Sequence, residues 1–395
     1  MDNIYAGIPS SEIESRIKRL KSYLNEENID GAILLSTSEL YYYSGVGYDG
    51  AVYIPVEGDP VHLVKRNLEL AKSFSRLPTV TSFGRKSKLF ATLDIKPVAK
   101  IALELDKLPY SFVKFLQSKA QEVQLTNCSS ILRQFRSVKS DYEINQIKDA
   151  AKLVDNSFEY CLEIATPEMT EIELAVRLES WLLDNGHDGF ITTHGFNAEL
   201  LHYAYVISSQ SSVLNIHFTP ISGYGLTLKY PYGPSRQKLG KKPFIIDTCG
   251  NRNGYISDTT RTFICGKFDT ETRNELEALQ YIKHFLRTNL KPNVNLSELY
   301  NEVMDLSKEL GIYDSFMGTS VDRVAFIGHG VGLELDELPV FYPKGPRLVP
   351  GNILACEPKF FIQGEKVLGV EDTYAITESG NILLSKSPDY YEIST

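Results

Sequence analysis

The residues best suited to chemistry in this chain are four carboxylates and one imidazole. Asp247 and Asp258 flank the turn-forming run Asn251-Arg252-Asn253-Gly254, and Glu357 and Glu371 lie equally far on either side of Gly364. Folded as hairpins about these turns, the members of each pair face one another across antiparallel strands. Directly opposed Cβ atoms lie about 4.5–5.5 Å apart, and like charges that close repel. A cation is therefore expected between them. His329, held between Gly328 and Gly330, adds a nitrogen donor. The resulting set, Asp247, Asp258, His329, Glu357 and Glu371, suits two hard divalent cations bridged by carboxylate oxygens, and so points to hydrolysis at a dinuclear centre. A single Asp beside a turn more often stabilises the turn. Five residues of the right type in two symmetric hairpins are harder to obtain that way. Their flanks, Phe244-Ile245-Ile246 and Ile353-Leu354-Ala355-Cys356, read as buried strands, where a charge is costly unless paired or metal-bound.

The elements that must position these residues can be read from periodicity and turn chemistry. In the first third, Ser11-x-x-Glu14 is a capping-box pattern that predicts an amphipathic helix through about Asn25. Short apolar runs at Gly31–Ser36, Ala51–Pro55, Val61–Val64 and Ile101–Leu105 predict strands. This third offers no catalytic cluster, and His62, in one of these strands, reads as a packed or surface histidine. The basic stretch Leu132–Ser140 marks a domain boundary and leads into a long helix from Asp141 to Ile164. Thr170-x-x-Glu173 caps another helix that ends near Asn185-Gly186. Strands and loops follow over about 189–265, then two amphipathic helices between about 270 and 311, then a strand-rich end. The expected domains are 1–135 and 136–395. The second reads as helix, helix, strands, repeated once, with one carboxylate hairpin per half, which predicts duplicated halves about a pseudo-twofold axis.

A chain of 395 residues is long enough for two well-buried domains. Its formal net charge of −9 argues against nucleic acid or an anionic membrane as partner. No apolar run is long enough to span a bilayer, and the first residues lack a signal-peptide pattern. The five cysteines (Cys128, Cys161, Cys249, Cys265, Cys356) form no Cys-x-x-Cys and read as reduced, buried thiols, which predicts a cytoplasmic protein.

At Asp247, at Asp258 in Ser-Asp-Thr-Thr-Arg-Thr-Phe, at Gly328-His-Gly-Val-Gly-Leu-Glu334, at Glu357-Pro358 and at Val370-Glu371-Asp372-Thr373 the chain resembles the creatinase/methionine aminopeptidase superfamily, peptidase M24. Arg16–Asn67 resembles the creatinase-type N-terminal domain, and Leu132-Arg-x-x-Arg-x-x-Lys139 its connector. Xaa-Pro dipeptidases (prolidases) and Xaa-Pro aminopeptidases are nearest in layout. The resemblance implies a two-domain α/β protein: a creatinase-type α/β domain followed by an α+β pita-bread catalytic domain. It also implies two divalent metals per subunit, Mn²⁺ or Co²⁺ first and Zn²⁺ or Fe²⁺ next, on the five residues above. A short Xaa-Pro peptide would be the substrate, Glu357 would shuttle the proton, and the protein would be a homodimer. In such a dimer the N-terminal domain, with Tyr41, Tyr42, Tyr43 and Tyr48, can close over the partner's site.

Four positions differ from the family peptidases. Asp336 stands where a second His follows the metal-binding one, and could bind a substrate ammonium. Ala325 replaces another His, and Gly369 replaces an Arg. The His that overhangs the metals has its candidates in His217, His202 and His194. These differences keep a second reading open, a related metal-dependent amidohydrolase acting on a small non-peptide amide. A non-catalytic pita-bread binding protein is a third.

Overall fold

Short, mostly apolar and buried runs of four to six residues build the central strands of the first part of the chain, and helical spacing builds the helices between them. A computed structural model describes residues 7–120, 122–214 and 219–394. The chain divides into two units, Met1–Phe135 and Arg136–Thr395.

The first unit runs α1 (Ser10–Glu26), β1 (Gly31–Leu34), α2 (Thr37–Ser44), β2 (Gly50–Pro55), β3 (Val61–Val64), α3 (Leu68–Phe74), β4 (Thr79–Ser82), α4 (Leu89–Thr92), β5 (Lys100–Leu103), α5 (Tyr110–Lys119) and β6 (Gln124–Asn127). Its six strands form one mixed sheet in the order β4-β3-β2-β1-β5-β6. Helix α1 starts earlier than expected: Pro9 is the N-cap and no side chain caps it, so Ser11 lies inside the first turn. Tyr42 and Tyr43 are buried, with the Arg16 guanidinium over the Tyr42 ring, so these two pack the unit's own core.

Helix α6 (Ser129–Ser137) leads into the second unit. There α7 (Asp141–Ile164) opens on a capping box made by Ser140 and Glu143, and α8 (Glu171–Asp184) on the expected one from Thr170 and Glu173. The strands that follow are β7 (Ala204–Ser208), β8 (Val213–Leu214), β9 (Ile221–Ser222), β10 (Phe244–Arg252) and β11 (Tyr255–Cys265). Helices α9 (Thr270–Asn289) and α10 (Leu296–Glu309) repeat the helix pair. The end of the chain holds β12 (Gly328–Gly330), β13 (Glu337–Phe341), β14 (Ile353–Cys356), β15 (Lys359–Ile362), β16 (Lys366–Gly369), β17 (Asp372–Thr377), β18 (Gly380–Leu383) and β19 (Tyr390–Ile393).

Two sheets carry this unit, β19-β11-β10-β7 and β13-β12-β14-β17-β18. The apolar faces of α7 and α8 pack with Val206, Phe244, Ile246 and Phe263 of the first sheet. Those of α9 and α10 pack with Leu354, Tyr374 and Ile376 of the second. Each half is thus a helix pair covering one face of a sheet, and the other faces are left to build the site.

Candidate metal centre

The first carboxylate pair is placed by a two-residue hairpin. Asn253 and Gly254 both have positive φ (50° and 79°), which suits the tight turn that matches strand twist. Asp247 then lies opposite Thr260, and Cys249 opposite Asp258. This corrects the expected direct opposition of Asp247 and Asp258. The turn is centred one residue further along, so the pairing shifts by two. An even shift keeps both carboxylates on one face, as diagonal neighbours. That face is the one turned away from the helices: Phe244 and Ile246 pack toward α7 and α8, while Ile245 packs with Tyr205 and Ile207 on the other side.

The second pair keeps its expected register about Gly364. Cys356 pairs with Asp372 across β14 and β17, and Lys359 with Gly369 across β15 and β16. Glu357 and Glu371, between these pairs, face one another. His329 lies on β12 between two close backbone approaches. A Cβ at Gly328 would come within 2.2 Å of the Ala355 carbonyl oxygen, and one at Gly330 within 2.2 Å of that of Leu338. Only glycine lets the neighbouring strands approach so closely.

One donor atom each from Asp258, His329 and Glu371 lies within 4.8 Å of the other two. His329 Nε2 is 3.8 Å from Asp258 Oδ2 and 3.8 Å from Glu357 Oε1. Its Nδ1 is 3.2 Å from the Gly330 carbonyl oxygen. A proton on Nδ1 donated to that oxygen leaves the Nε2 lone pair facing the carboxylates. Glu371 Oε2 accepts a hydrogen bond from Thr260 Oγ1 at 2.6 Å, while its Oε1 is buried without a hydrogen-bond partner among the described residues. A buried carboxylate oxygen left unmatched is costly unless a cation completes it. Three carboxylates and one imidazole converging there fit a divalent metal ion.

Electrostatics point the same way. Burial, joined by the charges of Glu371 and Asp247, pushes the Asp258 carboxyl well above the usual range. Burial pushes Glu371 up to about 8, against the opposing pull of Lys359. Burial and the nearby carboxylates also raise the Cys249 thiol, whose sulfur lies 3.6 Å from Asp258 Oδ1.

Asp247 is engaged differently. Its Oδ2 is 2.8 Å from Lys359 Nζ, which also lies 2.7 Å from Glu357 Oε2 and 3.6 Å from Glu371 Oε2. Burial disfavours this ammonium, but Asp247, Glu357 and Glu371 outweigh it and hold the lysine well above its ordinary pKa. Space that two metal ions were expected to share therefore holds one protein cation, and the residues present do not fit a second ion on Asp247. Sequence reasoning missed Lys359. The signal was available: two residues beyond Glu357 on a strand, it must point to the same face.

Of the remaining candidates, His202 and His194 are engaged with other carboxylates. His202 Nδ1 is 3.1 Å from Glu179 Oε1, and the ring stands edge-on to Tyr205. His194 Nδ1 is 3.2 Å from Glu334 Oε2. Asp336 accepts the backbone N–H groups of His194 (2.6 Å) and Gly195 (3.0 Å), so it fastens that loop. His217 lies outside the described residues. The connector also has a structural task. Arg136 bonds Glu334 at 2.5 Å and Glu337 at 3.0 Å, and Lys139 bonds Glu337 at 2.8 Å, all buried just beyond the His329 strand. A cleft lined by Leu200, Tyr205, Tyr232 and Leu335 opens onto Asp247, Asp258, His329, Glu357 and Lys359.

Comparison with known proteins matches residues 145–378 to the family described as metallopeptidase family M24, and residues 16–138 to the creatinase/prolidase N-terminal domain. A Xaa-Pro dipeptidase of Pyrococcus furiosus is 26% identical over 380 residues, which are 95% of this chain and 99% of that protein. The solved prolidase of Pyrococcus horikoshii OT3 superposes with a TM-score of 0.78 at 22% identity, covering 95% of this chain and 99% of its own. An X-Pro aminopeptidase of Thermotoga maritima gives 0.77 at 20% identity, with 95% and 99% covered. These structures share the fold over 95% of this chain.

Proposed function

Because this chain belongs to metallopeptidase family M24, we propose that it hydrolyses Xaa-Pro bonds of dipeptides or short peptides in a metal-dependent reaction. The observation that carries this reading is the convergence of Asp258, His329 and Glu357 on a cleft, beside a Glu371 Oε1 that has no hydrogen-bond partner among the described residues. The Xaa-Pro dipeptidase relative, similar over nearly the full length of both chains, supports the substrate class. Mn²⁺ or Co²⁺ is the expected metal, and Zn²⁺ or Fe²⁺ also suits mixed carboxylate and imidazole ligation. When bound, the metal supplies Lewis-acid polarisation of the scissile carbonyl and lowers the pKa of water.

The chain's own groups do the rest. Glu357 Oε1, on the His329 side, takes a proton from the attacking water and passes it to the leaving nitrogen. Its Oε2 is held by Lys359, so Oε1, which has two lone pairs, both faces the metal position and takes the proton. The proline nitrogen must gain a proton as the C–N bond breaks, and Glu357 is placed to supply the one it took from water. Leu200 and Leu335, with the Tyr205 and Tyr232 rings, offer apolar walls for a pyrrolidine ring and exclude water from it. A cytoplasmic homodimer belongs to the same reading. Among the described residues no helix is long and apolar enough to cross a membrane, and all five cysteines are free and buried. Size-exclusion chromatography tests the dimer.

The deciding experiment is hydrolysis of a panel of Xaa-Pro and Xaa-non-Pro dipeptides by metal-stripped protein with Mn²⁺, Co²⁺ or Zn²⁺ restored. Metal-dependent cleavage confined to Xaa-Pro is the expected result. Metal binding without cleavage of any dipeptide would move the activity to a non-peptide amide.

A further inference from the structure

Given the metal-dependent reading proposed above, we infer that Lys359 is a fixed cation standing in the second metal position, so that this chain takes a single divalent ion, held by Asp258, His329, Glu357 and Glu371. Lys359 Nζ is surrounded by Asp247 Oδ2 at 2.8 Å, Glu357 Oε2 at 2.7 Å and Thr219 Oγ1 at 3.1 Å. Those three contacts use all three ammonium donors. The side chain is 1% exposed, so the charge cannot leave for water without opening the strand pair. Divalent ions sit about 2.0–2.6 Å from oxygen ligands. A second ion bound by Asp247 Oδ2, Glu357 Oε2 and Glu371 Oε2 would have to occupy the volume of the ammonium itself, and two cations that close repel strongly.

The cradle for the lysine stem is built into the hairpin. Lys359 stands directly opposite Gly369. A Cβ at Gly369 would lie 3.3 Å from Lys359 Cγ and 2.9 Å from Thr260 Cγ2, so any larger residue there would press on the stem. The bare position across the ladder and the lysine belong together.

Both glutamates divide their oxygens between the two positions. Glu357 turns Oε2 to Lys359 and Oε1 toward His329. Glu371 turns Oε2 to Thr260 and Lys359, and leaves Oε1 without a partner among the described residues. An ammonium on one side and one divalent ion on the other would use every oxygen of the pair. Lys359 is then a positioning residue: it holds Glu357 Oε2 and Asp247 in the arrangement a second metal would otherwise impose.

Metal stoichiometry tests this independently of turnover. Metal-stripped protein is dialysed against Mn²⁺, and bound metal is counted by mass spectrometry and inspected by electron paramagnetic resonance. The wild type should bind one Mn²⁺ per chain with a mononuclear hyperfine pattern. Lys359→Gly should bind two, with a spin-coupled spectrum. Asp247→Asn should keep one ion at wild-type affinity, whereas His329→Asn should weaken binding by more than about 100-fold. Two coupled ions in the wild type, or loss of the ion in Asp247→Asn, would overturn the assignment. If Lys359→Gly does not fold, the wild-type count and Asp247→Asn still decide. No Mn²⁺ binding at all would overturn the metal-dependent reading together with this one. One bound ion without cleavage of any Xaa-Pro peptide would remove only the substrate reading and uphold the role of Lys359.

Discussion

Glu357 has one oxygen 2.7 Å from an ammonium and the other 3.8 Å from an imidazole nitrogen. If it carries the proton between water and leaving nitrogen, Glu357→Ala should lower kcat by about 10²–10⁴-fold or more, since general acid–base transfer and a ligand are lost together. Steady-state kinetics with an Xaa-Pro dipeptide checks this, and an unchanged rate would remove Glu357 from the role. Thr260 acts more indirectly. Its hydroxyl holds Glu371 Oε2, and hydrogen bonds to charged groups contribute about 1.5–3 kcal/mol. Thr260→Val keeps the shape and removes the donor. Titration calorimetry with Mn²⁺ should show affinity about tenfold weaker or more, with the fold retained; wild-type affinity would mean that Glu371 does not depend on the hydroxyl.

At the level of elements, the two hairpins explain what the sequence could and could not disclose. Alternation along Phe244–Asp247 and Ile353–Glu357 put the carboxylates on one face, and the even period of a strand protected that inference from a register error of two residues. The Asn253-Gly254 turn signal would have given the true centre, since a two-residue hairpin prefers that pair. Lys359 was passed over because lysine is so seldom buried. Asp336 could not be judged from spacing, because its partners, the amides of His194 and Gly195, lie more than a hundred residues away in the chain. Nor could the connector: Arg136 and Lys139 read as a basic linker, yet they neutralise Glu334 and Glu337 behind the His329 strand. Removing one partner of a buried ion cluster typically costs about 3–5 kcal/mol, because the other charge stays buried. Arg136→Ala should therefore lower stability by that amount in urea denaturation. A loss below about 1 kcal/mol, the range of exposed pairs, would show that Lys139 and His194 satisfy the two glutamates without the guanidinium.

Across the whole molecule the chemistry is concentrated in residues 136–395, and the first unit carries a different buried titratable group. His62 is fully buried on β3, with Nδ1 3.3 Å from Ser75 Oγ and Nε2 without a hydrogen-bond partner among the described residues. Burial lowers its pKa from 6.5 to about 4. Between those values the unfolded chain binds a proton that the folded unit refuses, so stability must fall as pH drops through 6.5 toward 4, and level off below. From pH 7 to pH 5 the loss amounts to about 2 kcal/mol. Hydrogen exchange of peptides spanning β1–β3 reads this unit by itself, and protection there should decline by that margin over the two pH units once the intrinsic exchange rate is removed. His62→Leu takes away the titrating ring and keeps an apolar side chain of fitting size, so its protection should lose most of this pH dependence. An equal slope in the variant would assign the acid sensitivity of the first unit to a group other than His62.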